Sequence, residues 1–208
     1  MKELVLPEHL AEKMEQLYQQ MEKDYSNVAR ALEFSCEGCP DNCCDSYFQH
    51  HTYAEWAYLW HGLRQMPQEK QDQIRGWAET YIAECRKAED KGERPQVMCP
   101  LNEEGLCILY AHRLLVCRTH GVPARMRRPD GKVMPFPGCF RCQDIVEERE
   151  KTGLKTPHVE RTPLLMELVK VEDEFLEHKR HMYPRLKLTI AEMIVNGPPS
   201  IPTPHCER

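Results

Sequence analysis

Apolar residues recur along the start of the chain in steps of three and four: Leu10, Met14, Leu17, Met21, Tyr25, Val28 and Leu32. Those steps trace one face of a helix, and Pro7 suits a helix start, so an amphipathic helix is expected there. A second helix is expected from Thr52, where Thr52-x-x-Glu55 has the form of a capping box ahead of Trp56, Leu59, Trp60 and Leu63. It should stop near Pro67. A third, from Pro67 to Asp90, places Ile74, Trp77, Tyr81, Cys85 and Ala88 on one face, with Gly92 and Pro95 beyond its end. Cys85 therefore reads as a core residue.

Between Val97 and Cys142 the periodicity fades. Pro100, Gly105, Gly121, Pro123, Pro129, Gly131, Pro135, Pro137 and Gly138 break this stretch into short pieces, so an irregular segment is expected rather than a conventional packed core. Asp130-Gly131 fits a small hairpin turn, and a short helix is expected over residues 107–117. Helical pattern returns at Thr162, read as a cap with Pro163 in the first position, and runs through Leu164, Leu168, Val171, Phe175 and Met182 until Pro184. A last helix is expected over residues 185–196, ending at Gly197-Pro198-Pro199.

The fold class implied is mainly α, with helices packed around an irregular, Pro/Gly-rich, cysteine-bearing metal-binding segment. Val and Ile together number only 18, which leaves little material for a large sheet. The expected organisation is a cysteine-cluster domain with its N-terminal helix over 1–150, a helical extension packed on it over 151–197, and a flexible tail over 198–208.

Composition narrows the picture. The 208 residues suit one compact domain. A mean hydropathy of -0.66 and the absence of any long apolar run exclude a membrane span. The start, Met1 to Glu8, turns acidic at once and does not read as a secretory signal, so a cytoplasmic location is expected. A formal net charge of -5 argues against a general nucleic-acid binder.

What demands explanation is the cysteine content, 11 residues at positions 36, 39, 43, 44, 85, 99, 107, 117, 139, 142 and 206. In a reducing compartment a disulfide framework is the weaker explanation and metal ligation the stronger. Cys36-x-x-Cys39 lies on a loop directly after the first helix, where Gly38 and Pro40 favour a turn that lets two sulfurs converge on one ion. The adjacent pair Cys43-Cys44 leans toward a multinuclear site, since neighbouring side chains in extended backbone point apart. Cys99, Cys107 and Cys117 form a second group, and Cys139-x-x-Cys142 a third. The expected metal ligands are thus Cys36, Cys39, Cys43, Cys44, Cys99, Cys107, Cys117, Cys139 and Cys142. The two Cys-x-x-Cys units can close one tetrahedral zinc site, leaving the others for a second centre, though other allocations stay open. Thiolates fit an iron-sulfur cluster or zinc, whereas calcium and magnesium favour oxygen ligands.

In order along the chain, Cys36-x2-Cys39-x3-Cys43-Cys44, Cys99-Pro-Leu, Gly105-x-Cys107-x-x-Tyr110 and Arg113-x-x-x-Cys117-Arg118 resemble the YkgJ-type cysteine-cluster family of zinc- or iron-chelating proteins. The resemblance covers Cys36 to Arg118. It implies a bacterial or archaeal protein with a bound metal or iron-sulfur centre, and some members are described as flagellin lysine methylases. Two departures stand out. Leu114 follows Arg113 where the family usually has proline, and Cys139-x-x-Cys142 falls outside the family core.

Arg113, Arg118, Arg125, Arg127, Arg128 and Lys132 face the single acid Asp130 in residues 113–132, a basic island in an acidic chain. Arg113 and Arg118 are the expected cofactor-binding residues, since guanidinium groups offset the negative charge of a thiolate site and lower thiol pKa values. The island is otherwise an anion-binding face or a surface for a protein partner; without interleaved aromatics it argues against nucleic acid. Among the histidines, His120 has the spacing to join Cys117 at a metal, and His50-His51 can support a site from behind its ligands. The expected function is a structural or electron-transfer metal protein. Alternatives are a metal-dependent protein-modifying enzyme such as a lysine N-methylase, with catalytic residues unknown, and a thiol-disulfide redox module.

Overall fold

A computed structural model describes residues 2–37, 39 and 43–201. Gly38, Pro40, Cys206 and the expected tail beyond Ile201 lie outside the described residues. In chain order the helices are α1 (Glu8–Ala31), α2 (Tyr53–Leu63), α3 (Gln68–Glu89), α4 (Leu115–Thr119), α5 (Phe140–Lys151), α6 (Arg161–Phe175) and α7 (Ile190–Val195). The strands are β1 (Lys2–Glu3), β2 (Asn102–Glu103), β3 (Leu106–Cys107), β4 (Ala124–Arg127), β5 (Val133–Phe136), β6 (Val159–Glu160) and β7 (Ser200–Ile201). About 53% of the described chain is helical, so the fold is mainly α. No described helix is long and apolar enough to cross a membrane.

Interleaved segments build two compact units, one from residues 2–11, 44–114 and 171–201, the other from residues 12–43 and 115–170. Residues 151–197, expected as one extension, contribute to both.

In the first unit α2 is buried almost all round, through Tyr53, Ala54, Trp56, Ala57, Tyr58, Leu59 and Leu63. A helix with no wet face needs its terminal N–H groups satisfied by protein. Thr52 caps it as expected, its hydroxyl accepting from Glu55 N. The buried Glu172 carboxylate accepts from Tyr53 N at 3.1 Å and Ala54 N at 2.7 Å, and Arg180 Nε lies 3.3 Å from it. A carboxylate there also faces the positive end of the helix dipole. On α3, Ile74, Ala78, Tyr81 and Cys85 are buried, which confirms Cys85 as core. The Trp56 and Trp60 indoles both donate to the Met193 carbonyl of α7 at 3.0 Å. Thr189 and Glu192 form a capping box at the start of α7. β1 pairs antiparallel with β7.

The second unit takes most of α1, whose Met14, Leu17, Met21 and Val28 are buried on the expected period, as is Leu32 just past its end; Tyr18 is buried as well, and Tyr25, expected on the same face, is only half-buried. β4 pairs antiparallel with β5 through the Asp130-Gly131 turn and parallel with β6, giving the order β5-β4-β6. Gly131 takes a positive φ of 83° at that turn. The Arg149 side chain donates through Nη1 to the Ala31 carbonyl at 3.2 Å, tying α5 to the end of α1.

Four expectations need correction. Residues 107–117 are not one helix: Cys107 pairs with Asn102 in the β2–β3 hairpin, Arg113 is extended, and only Tyr110–His112 and α4 are helical. Thr162 does not cap α6, because its hydroxyl accepts from Arg127 N at 2.7 Å and the helix starts at Arg161, straight out of β6. That helix stops at Phe175, far short of Pro184, where Glu177 and His178 reverse the chain with positive φ, and Met182 is 69% exposed. The last helix begins at Ile190 rather than 185, because Leu188 is held extended by a bridge to His50. Residues 97–142 are also better packed than their breakers suggest, with Leu101, Leu109, Leu114, Val122 and Ala124 buried.

Candidate metal centre

Directly after α1, the Cys39 N–H donates to the Cys36 carbonyl at 3.1 Å. This closes the Cys-x-x-Cys loop into a turn, and both thiols stay accessible, Cys36 exposed and Cys39 half-buried. About a hundred residues later Cys139 sits at the N-terminal end of α5. Its own N–H donates to the Gly121 carbonyl at 3.0 Å.

Two glycines make that approach possible. Gly138 adopts φ +88°, and a Cβ there would lie 2.6 Å from the Gly121 oxygen, so no other residue fits without moving the backbone. Gly121 adopts φ +119°, and a Cβ there would lie 2.5 Å from the Tyr25 hydroxyl oxygen. One peptide segment thus seats Cys139 through its carbonyl and abuts Tyr25 through its Cα.

Tyr25 and Arg141 mark where the thiols gather. The Tyr25 hydroxyl lies 3.8 Å from Cys36 Sγ. Burial raises the Tyr25 pKa first, and Cys36, Cys139 and Cys43 raise it further, so this phenol keeps its proton. Arg141 occupies an inner position of the Cys139-x-x-Cys142 unit. Its pKa is raised first by hydrogen bonding to Cys39 and then by the charges of Cys39, Cys139 and Cys36. The charges of Cys36, Cys139 and Cys43 thus reach the phenol, and those of Cys39, Cys139 and Cys36 reach the guanidinium. Cys142 is fully buried, and burial, then Cys139 and Cys36, push its thiol up to about 11.

The first unit carries Cys44, Cys99 and Cys107 on linked backbone. Cys99 N donates to the Cys44 carbonyl at 2.9 Å, Asn102 N donates to the Cys99 carbonyl at 2.9 Å, and Cys107 pairs with Asn102. Cys117 lies in α4 of the second unit. Neither expected arginine is a bare surface charge, since Arg113 lies over the Tyr110 ring at 5.0 Å and Arg118 over Tyr18 at 4.5 Å. His50 and His51 hold residues 186–188: His50 N donates to the Leu188 carbonyl at 2.7 Å, and His51 Nδ1 lies 2.9 Å from the Leu186 carbonyl. His120 N donates to the Val116 carbonyl at 3.0 Å, just beyond α4.

Tyr25, Arg141, Gly121 and Gly138 escaped sequence reasoning. Tyr25 looked like one more position on a helix stripe, and the glycines looked like breakers. The available signals were a glycine directly before Cys139 and an arginine inside a Cys-x-x-Cys unit.

None of the ten described cysteines is in a disulfide. Among the described residues, no group of three or more His, Cys, Asp or Glu side chains is already drawn close enough to hold a metal ion. The donor chemistry nevertheless fits a thiophilic metal, since the donors are thiols and the Arg141 guanidinium, hydrogen-bonded to Cys39, can offset thiolate charge. No family model matches the chain, and no curated protein or solved structure matches it.

Proposed function

We propose that this chain is a cysteine-cluster metal protein whose second unit holds an iron-sulfur or zinc centre through Cys36, Cys39, Cys43 and Cys139. One observation carries the reading: Cys36 lies 3.8 Å from the Tyr25 hydroxyl, and Cys139, about a hundred residues further along, is hydrogen-bonded to the Gly121 that abuts that hydroxyl. The likeness of residues 36–118 to the YkgJ-type pattern supports it independently. Arg141, hydrogen-bonded to Cys39, serves in this reading to balance negative charge that the thiolates bring to the site.

Such a centre supplies either a fixed crosslink between the Cys36 loop and the start of α5 or, if it contains iron, a one-electron carrier. Anaerobic purification followed by metal and acid-labile sulfide analysis, with a visible spectrum, tests this. Iron with matching sulfide and a broad charge-transfer band is the expected result for a cluster, and zinc in a colourless sample for a structural site. A protein free of both metals, which also takes up neither on anaerobic reconstitution, would overturn the reading.

A further inference from the structure

Resting on that metal centre, the geometry points to Tyr25 as a positioning residue that donates a hydrogen bond to the Cys36 sulfur and sets how strongly that sulfur binds. The hydroxyl lies 3.8 Å from Cys36 Sγ, and either atom can donate while the thiol keeps its proton. A metal-bound thiolate has no proton, so with the centre loaded only the phenol can donate.

The hydroxyl is also held from behind. A Cβ at Gly121 would lie 2.5 Å from the Tyr25 oxygen, so any side chain there would push the hydroxyl from its place. The same glycine's carbonyl receives the Cys139 N–H at 3.0 Å. Cys139 and the Tyr25 hydroxyl are therefore registered to one backbone segment, and the phenol meets Cys36 where Cys139 also arrives.

A hydrogen bond to a ligand sulfur orients it and favours the deprotonated form that metals bind, which strengthens binding. By withdrawing electron density it also moves sulfur-to-metal charge transfer to higher energy and raises the reduction potential of an iron centre. Loss of such a partner typically weakens metal binding by about 10-fold or more.

Anaerobic titration of the full chain with Co²⁺ tests this, because the sulfur-to-cobalt band reports thiolate ligation directly. Tyr25→Phe, which keeps the ring, is expected to bind Co²⁺ about 10-fold more weakly and to move that band to longer wavelength, with an unchanged circular dichroism spectrum. Gly121→Ala, which keeps the hydroxyl but displaces it, should move the band the same way. In a Cys36→Ala background, Tyr25→Phe should have no further effect on Co²⁺ affinity, whereas a merely structural tyrosine would weaken binding again. If Tyr25→Phe matches the parent in affinity and band position, or weakens binding equally without Cys36, the role of Tyr25 is overturned while the metal reading stands. If the parent itself shows no thiolate band with Co²⁺, both are overturned.

Discussion

His50 shows how one side chain can set the pH response of a unit. It is 1% exposed, and neither ring nitrogen has a hydrogen-bond partner among the described residues. Burial holds its pKa below the ordinary 6.5, a pull that Glu55 opposes and His51 reinforces. The folded imidazole is therefore neutral where the unfolded one begins to take a proton. This contribution to stability is intact above pH 6.5 and is lost as pH falls from there toward the lowered value, at up to about 1.4 kcal/mol per pH unit. Thermal melts from about pH 7 to about pH 5 should show this decline, and His50→Leu should flatten it. An unchanged pH profile in that variant would assign the acid sensitivity elsewhere.

At this scale the sequence was informative about inventory and silent about surroundings. Cys36, Cys39, Cys43 and Cys139 were recognisable as ligand types from spacing alone. Tyr25 and Arg141 were not, because their relevance comes from neighbours distant along the chain. Cys142 matched the same spacing rule as Cys139, yet it is fully buried. A Cys-x-x-Cys unit at the start of a helix places its first residue at the end of the helix and its second in the first turn, where packing decides its exposure.

Among the elements, the breaker-rich stretch separates glycines that only turn the chain from glycines that let backbones touch. Gly131 has φ +83° with nothing near its Cβ position, whereas Gly138 has φ +88° with the Gly121 oxygen 2.6 Å from it. Gly131→Ala should cost about 1 kcal/mol, the strain of a left-handed alanine. Gly138→Ala carries the same strain plus a backbone clash and should cost about 3 kcal/mol in denaturant unfolding. Equal losses in the two variants would remove the packing role given to Gly138. The helix starts and stops divide in a similar way. α1 and α3 follow their apolar period closely, since long stripes outweigh local choices. The shorter helices moved because single tertiary bonds redirected their ends: Thr162 was taken by Arg127, and Leu188 was held by His50.

On the scale of the whole chain, two compact units are woven from alternating segments, and the second brings the Cys36 loop, α4, the hairpin and α5 into one body. Cys139 to Gly121 and Arg149 to Ala31 are among the bonds that join its thiol-bearing segments. A metal bound across them stabilises the folded form by mass action, about 2.7 kcal/mol when free metal exceeds its Kd a hundredfold. Chelation is therefore expected to lower the melting temperature by several degrees and to expose protease sites in residues 33–45 before α2 and α3 are cut. Identical digestion with and without chelator would count against a metal crosslink there.

The sequence by itself determined the mainly α class, the buried stripes of α1 and α3, the Asp130-Gly131 hairpin and the stock of thiols. Each depends on interactions over a few residues, and helical period, turn chemistry and ligand type are all local. Only the tertiary structure decided what lies around each thiol. The Tyr25 hydroxyl lies 3.8 Å from Cys36 Sγ, and Cys139 is hydrogen-bonded to the Gly121 that abuts this hydroxyl, because the Gly138 backbone can lie against Gly121, a contact that leaves no periodic trace in the chain. The same long-range bonding set where α6 and α7 begin and placed Arg141 beside Cys39.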